Sequence, residues 1–372
     1  MSNRVRMGMV GGGPGAFIGA IHRFAARLDG EIELVCGAFS SSAEKSKSMA
    51  EELSLDPARC YASYSDMMAG EAALPQSQRM EFVSIVTPNH MHFPVAKAAL
   101  QAGFAVLSDK PATLDVKEAR ALRKIVEKSG KAYGLTHTYL GYPLVGEARG
   151  IIEAGGIGEV RKVYVEYIQG WLATPIETKQ ADWRTDPKRS GGSGCMGDIG
   201  THAHNLAEFM TGKRMTHVAA DLTTFVEGRR LDDDGSCLFR MEDGVKGTLS
   251  ASQICVGKEN SLSIRIYGEI GGLEWRQEEP NTLIRTYADR PTEILRAAQG
   301  YLSEGAQDGF RTPPGHPEGY LEAFANVYLD FARALRSGGG VVTGIEGGVR
   351  GMAFVEALLK SSAKHSKWVE IK

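Results

Sequence analysis

A chain of 372 residues is too long for one small core and argues for two domains. Hydrophobic residues at 42% and charged residues at 24% are ordinary for a globular protein, and a formal net charge of -2 gives no electrostatic case for nucleic acid. No run approaches the ~20 apolar residues of a spanning helix, and Met1 to Met9 lacks a signal peptide's apolar core, so a cytoplasmic protein without a membrane partner is expected.

From the N-terminus, short apolar runs alternate with helix-like stretches, which is the βαβ pattern of a parallel sheet. Arg4 to Val10, Glu33 to Phe39, Phe82 to Val86, Ala105 to Ser108 and Lys131 to Thr136 read as strands. Ala16 to Leu28, Ala43 to Leu53, Pro94 to Ala102 and Asp115 to Ser129 read as the helices between them. After about Tyr139 the texture changes. A helix from Pro143 to Ala154 ends at Gly155-Gly156, and runs of period two follow at Arg161 to Gly170, Thr216 to Val226, Gly235 to Met241, Val245 to Ser252, Leu262 to Tyr267 and Gly272 to Arg276, with a hairpin turn at Glu242-Asp243-Gly244. Ala288 to Glu318 reads as a long irregular excursion, and helices from Glu318 to Arg336 and Gly344 to Ala363 close the chain. The expected fold class is therefore α/β: an N-terminal doubly wound Rossmann sheet over 1–138, then an α+β domain over 139–372 with a large, mostly antiparallel open sheet. The last helix has the length to pack back on the first domain. An open sheet face with apolar positions seldom stays bare, which points to a homodimer or homotetramer.

The first strand runs into GGGPGAFIGAIH, with glycines where a strand must turn sharply into a helix. Only residues without a side chain let backbone N–H groups approach a pyrophosphate at the helix's positive end. Gly11, Gly13 and Gly19 are the candidate phosphate-loop positions, with Gly12 and Gly15 shaping the loop. No carboxylate stands between Cys36 and Ala43 to grip a ribose 2′-hydroxyl. Ser40 occupies that place, and Lys45 nearby suits a 2′-phosphate, yet Ser41 or Ser42 equally reads as the cap of the next helix with Lys45 solvated. NAD and NADP both stay open.

Lys110 stands at the carboxyl end of a parallel strand, the edge where open α/β sheets bind ligands, with Pro111 fixing the turn behind it. A lysine made less basic by burial or by a cationic ring can take a hydroxyl proton. Asp198 and His202 are four apart, so on a helix they project from one face, where an imidazole can assist the proton and a carboxylate can orient hydroxyls. His204 lies off that face. Five scattered cysteines, Cys36, Cys60, Cys195, Cys237 and Cys255, supply no paired spacing for a disulfide framework or zinc, and no metal is expected. Trp171, Trp183, Arg184, Lys188 and Arg189 precede the Asp198 segment; aromatic faces suit sugars, and the cations suit a carboxylate, phosphate or sulfonate, although core and surface roles are equally open.

Three segments resemble the glucose–fructose oxidoreductase, inositol dehydrogenase and rhizopine-catabolism (Gfo/Idh/MocA) family over nearly the whole chain. They are SIVTPNHMH (Ser84 to His92), SDKP (Ser108 to Pro111) and GDIGTHAHN (Gly197 to Asn205). The resemblance implies a nicotinamide site lined by Thr87, Pro88, Asn89, His92, Asp109 and Lys110, with Asp109 where the family has Glu. It also implies a carbohydrate site around Lys110, Trp171, Trp183, Arg184, Asp198 and His202. Asn205 stands where the family often has Asp, and the glycine loop is longer than usual. The implied activity is NAD(P)-dependent oxidation of a secondary alcohol on a sugar, glycoside or inositol. Two alternatives accompany it: a glycosidase that oxidises, eliminates, adds water and re-reduces with a tightly bound, recycled cofactor, on a neutral or anionic sugar, and a non-catalytic nucleotide sensor.

Overall fold

Residues 4–340 and 343–372 are described by the computed structural model. They divide into two units, Met1–His137 with Phe324–Val349, and Thr138–Ala323 with Arg350–Lys372. Residues 324–349, placed in the second domain on sequence grounds, thus cluster with the first. The reason is partly apolar, with Phe331 fully buried and its ring 5.1 Å from that of Phe82, and partly a hydrogen bond from the Leu135 N–H to the Thr343 carbonyl.

In the first unit, strands β1 (Val5–Gly11), β2 (Ile32–Ala38), β3 (Phe82–Val86), β4 (Ala105–Ser108) and β5 (Tyr133–Leu135) form one parallel sheet in the order β2-β1-β3-β4-β5. Every residue of β3 is buried, as a central strand covered on both faces requires. Phe82, Val83 and Ile85 have no exposed surface, and each contributes about 1.5–3 kcal/mol of burial. Local signals agree with the elements. Helix Val116–Ser129 starts where the Asp115 carboxylate accepts the Glu118 N–H at 2.8 Å and stops at Gly130, whose φ of 62° suits glycine.

The chain order reverses direction between β1 and β3, so the sheet's topological switch point lies at their carboxyl ends. Gly11 pairs with Val86 there. The glycine loop after Gly11 and the Thr87-Pro88-Asn89 turn after Val86 therefore leave adjacent strand ends, and Lys110 follows β4 one strand further on.

The second unit carries nine strands, β6 (Lys162–Ile168), β7 (Met215–Thr223), β8 (Asp234–Met241), β9 (Lys246–Ser252), β10 (Ser261–Tyr267), β11 (Gly271–Arg276), β12 (Thr282–Tyr287), β13 (Glu293–Arg296) and β14 (Val369–Glu370). Their order is β13-β12-β11-β10-β6-β9-β8-β7-β14, antiparallel throughout except for the β6–β9 pair. Strand β12 lies in a stretch the sequence left unassigned, and β13 replaces part of the expected irregular excursion, which also holds the short helix Glu304–Gln307. The turn at Glu242–Gly244 joins β8 to β9 with Asp243 at φ 54°. Helices Pro143–Glu153 and Thr201–Thr211 cover one sheet face. On the other face the alternation leaves Tyr164, Leu238 and Tyr267 exposed.

Candidate functional site

The glycine loop is built for a close approach. Gly11 has φ 90°, and a Cβ there would sit 2.7 Å from the Val86 carbonyl oxygen; one on Gly13 would sit 2.5 Å from that of Phe39. A Cβ on Gly19 would collide with the Gly12 backbone, so this glycine lets helix Phe17–Leu28 lie against the loop. Gly15 is required only by its φ of 72°, since the space around its Cβ is open. The helix begins at Ala16, which offers no side-chain acceptor, so its first-turn N–H groups remain for an anionic ligand. These glycines, the uncapped helix and the buried, unsatisfied hydroxyl of Thr87 at the same sheet edge fit a dinucleotide.

Around this cradle the expected residues separate into several roles. Ser42, rather than Ser41, caps helix Ala43–Glu52, and the Ser40 hydroxyl accepts the Ser42 N–H at 3.2 Å while Lys45 is exposed. Pro88 precedes the short turn Asn89–Met91, in which Asn89 is buried. His92 offers no polar atom to a ligand: its ring lies between the carbonyls of Pro111 and Thr87, at 2.6 and 2.9 Å. Burial, against the two carbonyls, lowers its pKa. The Lys110–Pro111 bond is cis. The Asp109 carboxylate accepts the Lys110 N–H at 2.8 Å and the Thr136 hydroxyl at 3.1 Å.

In the second unit, Asp198 lies on a π-helical turn, Met196–Gly200, that leads into helix Thr201–Thr211 bearing His202. The expected simple four-residue helical ladder between them is therefore corrected: the turn between them is wider than an α-turn. It begins where the buried Asp232 carboxylate accepts the N–H groups of Gly194 and Met196, at 2.8 and 2.9 Å. Asp198 Oδ2 accepts from Arg184 Nε at 3.2 Å and Gln253 Nε2 at 3.0 Å. The His202 ring meets Tyr139 edge-on at 4.8 Å and lies 6.1 Å from Tyr167. His204 is turned away, stacked on Phe354 and 3.2 Å from Glu208.

Behind His202 stands a polar wall that sequence reasoning missed. Tyr139 and Tyr167 share a short hydrogen bond, Tyr167 donates to Asn260 at 2.6 Å, and Gln169 donates to the same Asn260 oxygen at 2.6 Å. Burial raises the pKa of both tyrosines, so they stand as neutral hydroxyls. Trp171 donates to Gln169 at 2.9 Å. The Arg184 guanidinium lies 4.4 Å from the Trp183 ring centre and 5.9 Å from that of Trp171. Arg189 pairs with Asp182 at 2.6 Å. Of the wall, Tyr139 in THTYLGYP, directly after β5, stood near an expected element end.

A parallel sheet with a glycine cradle at its switch point and a lysine turn on the same edge defines a dinucleotide-binding protein; the nine-stranded sheet adds a second unit carrying acid, imidazole and hydroxyl groups. The chain belongs to the Gfo/Idh/MocA oxidoreductases. Residues 5–137 match the model of the oxidoreductase family with NAD-binding Rossmann fold, and 145–274 match the GFO/IDH/MocA C-terminal domain. An uncharacterized oxidoreductase, YfiI, of Bacillus subtilis is 33% identical over 100% of this chain and 98% of its own. Levoglucosan dehydrogenase of Pseudarthrobacter phenanthrenivorans is 27% identical over 78% of this chain and 79% of its own. The crystal structure of an inositol dehydrogenase homolog from Azotobacter vinelandii, complexed with NAD+, superposes with a TM-score of 0.94 at 34% identity, covering 99% of this chain and 97% of that one.

Proposed function

We propose that this oxidoreductase oxidises a secondary alcohol on an uncharged cyclic sugar or polyol, with Lys110 as the group that takes the hydroxyl proton. One observation carries the reading: Lys110 leaves the same carboxyl edge as the glycine cradle, one strand beyond the switch point. A bound nicotinamide supplies the hydride acceptor. The chain's own residues do the rest. Lys110 accepts the proton at Nζ; in the second unit, His202 is proposed as a further acid–base group and Asp198 as an acceptor for substrate hydroxyls. The neutral hydroxyl and amide wall of Tyr139, Tyr167 and Asn260 supplies further partners of the kind a polyol needs.

The preference for an uncharged substrate follows from how the cations are engaged. Arg184 is bound to Asp198 and Arg189 to Asp182, so the two arginines of the basic segment that suggested an anionic sugar are already matched by carboxylates. The named relatives favour net oxidation over a redox-neutral glycosidase: one is a levoglucosan dehydrogenase, and the inositol dehydrogenase homolog is complexed with NAD+. We further propose that a second copy of the chain covers the open sheet face around Tyr164, Leu238 and Tyr267. The substrate reading is tested by offering neutral sugars, inositols, sugar acids and sugar phosphates with NAD and with NADP. Reduced nicotinamide forming with the neutral compounds is expected. Turnover confined to the acids or phosphates, or aglycone release without reduced nicotinamide, would overturn it.

A further inference from the structure

Behind the Lys110 turn, the first unit contains a string of buried polar groups with no part in the reading above. His22, on the helix that follows the glycine loop, has no exposed surface, nor has Ser84 in the middle of β3, and Tyr328 is 1% exposed. The Tyr328 hydroxyl lies 2.7 Å from His22 Nδ1 and 2.8 Å from Ser84 Oγ. The Phe324 ring meets the imidazole at 4.5 Å and closes one side. The other ring nitrogen, Nε2, has no hydrogen-bond partner among the described residues and lies 3.8 Å from Asp109 Oδ2, an ion-pair distance. Asp109 in turn holds the Lys110 N–H and the Thr136 hydroxyl through its other oxygen.

Buried polar groups are kept only when they are satisfied, and a histidine aimed at a carboxylate fixes both its own tautomer and the carboxylate's orientation. With Tyr328 donating to Nδ1, the proton sits on Nε2 and faces Asp109. Burial alone would raise the Asp109 pKa, but His22 beside it and then the Lys110 charge outweigh it and hold the carboxyl below the usual range, so Asp109 remains an anion. One Asp109 oxygen takes the Lys110 N–H and the Thr136 hydroxyl, which leaves the other to face the His22 imidazole.

We propose that His22 is a positioning residue for Lys110: held by Tyr328 and Ser84, it orients the Asp109 carboxylate, which fixes the backbone from which the lysine projects. The string joins the helix of the glycine loop, the central strand and the lysine turn. A small error in the Lys110 turn then propagates to the reacting distance, where sub-ångström placement matters. The proposal rests on the role given to Lys110, and its test separates the two.

Three substitutions are compared in the full-length protein. H22F keeps a buried ring but removes both nitrogens; H22Q keeps an N–H for Asp109 and an oxygen for Tyr328; Y328F removes the hydroxyl that orients the ring. The first readout needs no turnover: the 13C-methyl NMR signal of reductively methylated Lys110, assigned by its loss in K110R, in cofactor-free protein. H22F should move or broaden it, and H22Q should leave it near its wild-type position. In turnover, H22F is expected to lower kcat about 10- to 100-fold, with KM and the Kd for NADH within about threefold, Y328F to fall less, and H22Q to recover most of the rate. An H22F protein with wild-type Lys110 signal and kcat would overturn the proposal, as would an H22Q protein no better than H22F. Should K110A itself retain full turnover, the reading of Lys110 fails, while the NMR result still decides whether His22 positions it.

Discussion

At the scale of single residues, the glycines of the loop answer to different constraints and should fail differently. Gly19 faces the backbone of Gly12, which cannot move aside like the end of a flexible side chain. Gly19→Ala is expected to destabilise the first unit by about 1–3 kcal/mol and to weaken NADH binding at least tenfold, measured by denaturant unfolding and by nucleotide fluorescence. Gly15 has open space around it and a φ of 72°, so Gly15→Ala is expected to cost only about 1–2 kcal/mol of backbone strain. Equal loss of NADH binding in the two variants would contradict the close-approach account. The sequence made these glycines legible as a group, because a strand running into a glycine-rich turn and a helix has few physical explanations. It did not reveal which of them meet backbone and which only need a left-handed conformation. His92 shows the same limit. Its place in SIVTPNHMH marked it as a cofactor-lining residue, but the carbonyls of Pro111 and Thr87 that enclose it come from two separate turns.

At the scale of elements, the turn bearing Asp198 depends on Asp232, which arrives from the loop before β8. Asp232→Ala leaves the Gly194 and Met196 N–H groups without their acceptor in a buried site. A loss of about 2–4 kcal/mol is expected by urea unfolding, with kcat reduced more than KM is raised, because the π-turn that places Asp198 relaxes. Unchanged stability would mean that the turn holds itself. A second anchor is pH-dependent. Burial raises the Glu208 pKa, but His204 first and then Arg350 outweigh it and hold the carboxyl at about 2 against an ordinary 4.5. A carboxyl depressed on folding stabilises fully above its unfolded value and loses that contribution as pH falls towards the folded one. Between about pH 4.5 and 2 the wild type should therefore lose stability faster than Glu208→Gln, as read from urea midpoints; parallel curves would exclude the effect.

Most strands of the second unit were readable because one buried face imposes a period of two. Strand β8 alternates almost perfectly, with Gly235, Cys237, Phe239 and Met241 inward. Strands β12 and β13 were not, since Thr282–Tyr287 is half-buried along most of its length and Glu293–Arg296 is mostly exposed, which removes the alternation. The π-turn was illegible for a different reason: the carboxylate that takes its N–H groups lies far along the chain. The tyrosine wall behind His202 resembled ordinary aromatic core, and only the shared Asn260 reveals it as a polar network.

At the scale of the whole molecule, the covered and open faces of the nine-stranded sheet differ in what they bury. Tyr164, Leu238 and Tyr267 lie on the open face with between 37% and 53% of their surface exposed. If a second copy covers them, the wild-type chain should run as a dimer or higher multiple in light scattering, and Leu238→Glu should shift it towards the monomer. A wild-type monomer would remove that part of the proposal.

The central claim concerns the proton acceptor and is tested most directly by following reduced nicotinamide at its absorbance band in wild type and Lys110→Ala, with a substrate found among the neutral sugars and polyols. The account predicts that the variant binds NADH within about threefold of wild type while kcat falls by about 100-fold or more, the scale of a lost general base. Turnover at the wild-type rate with cofactor bound would contradict it.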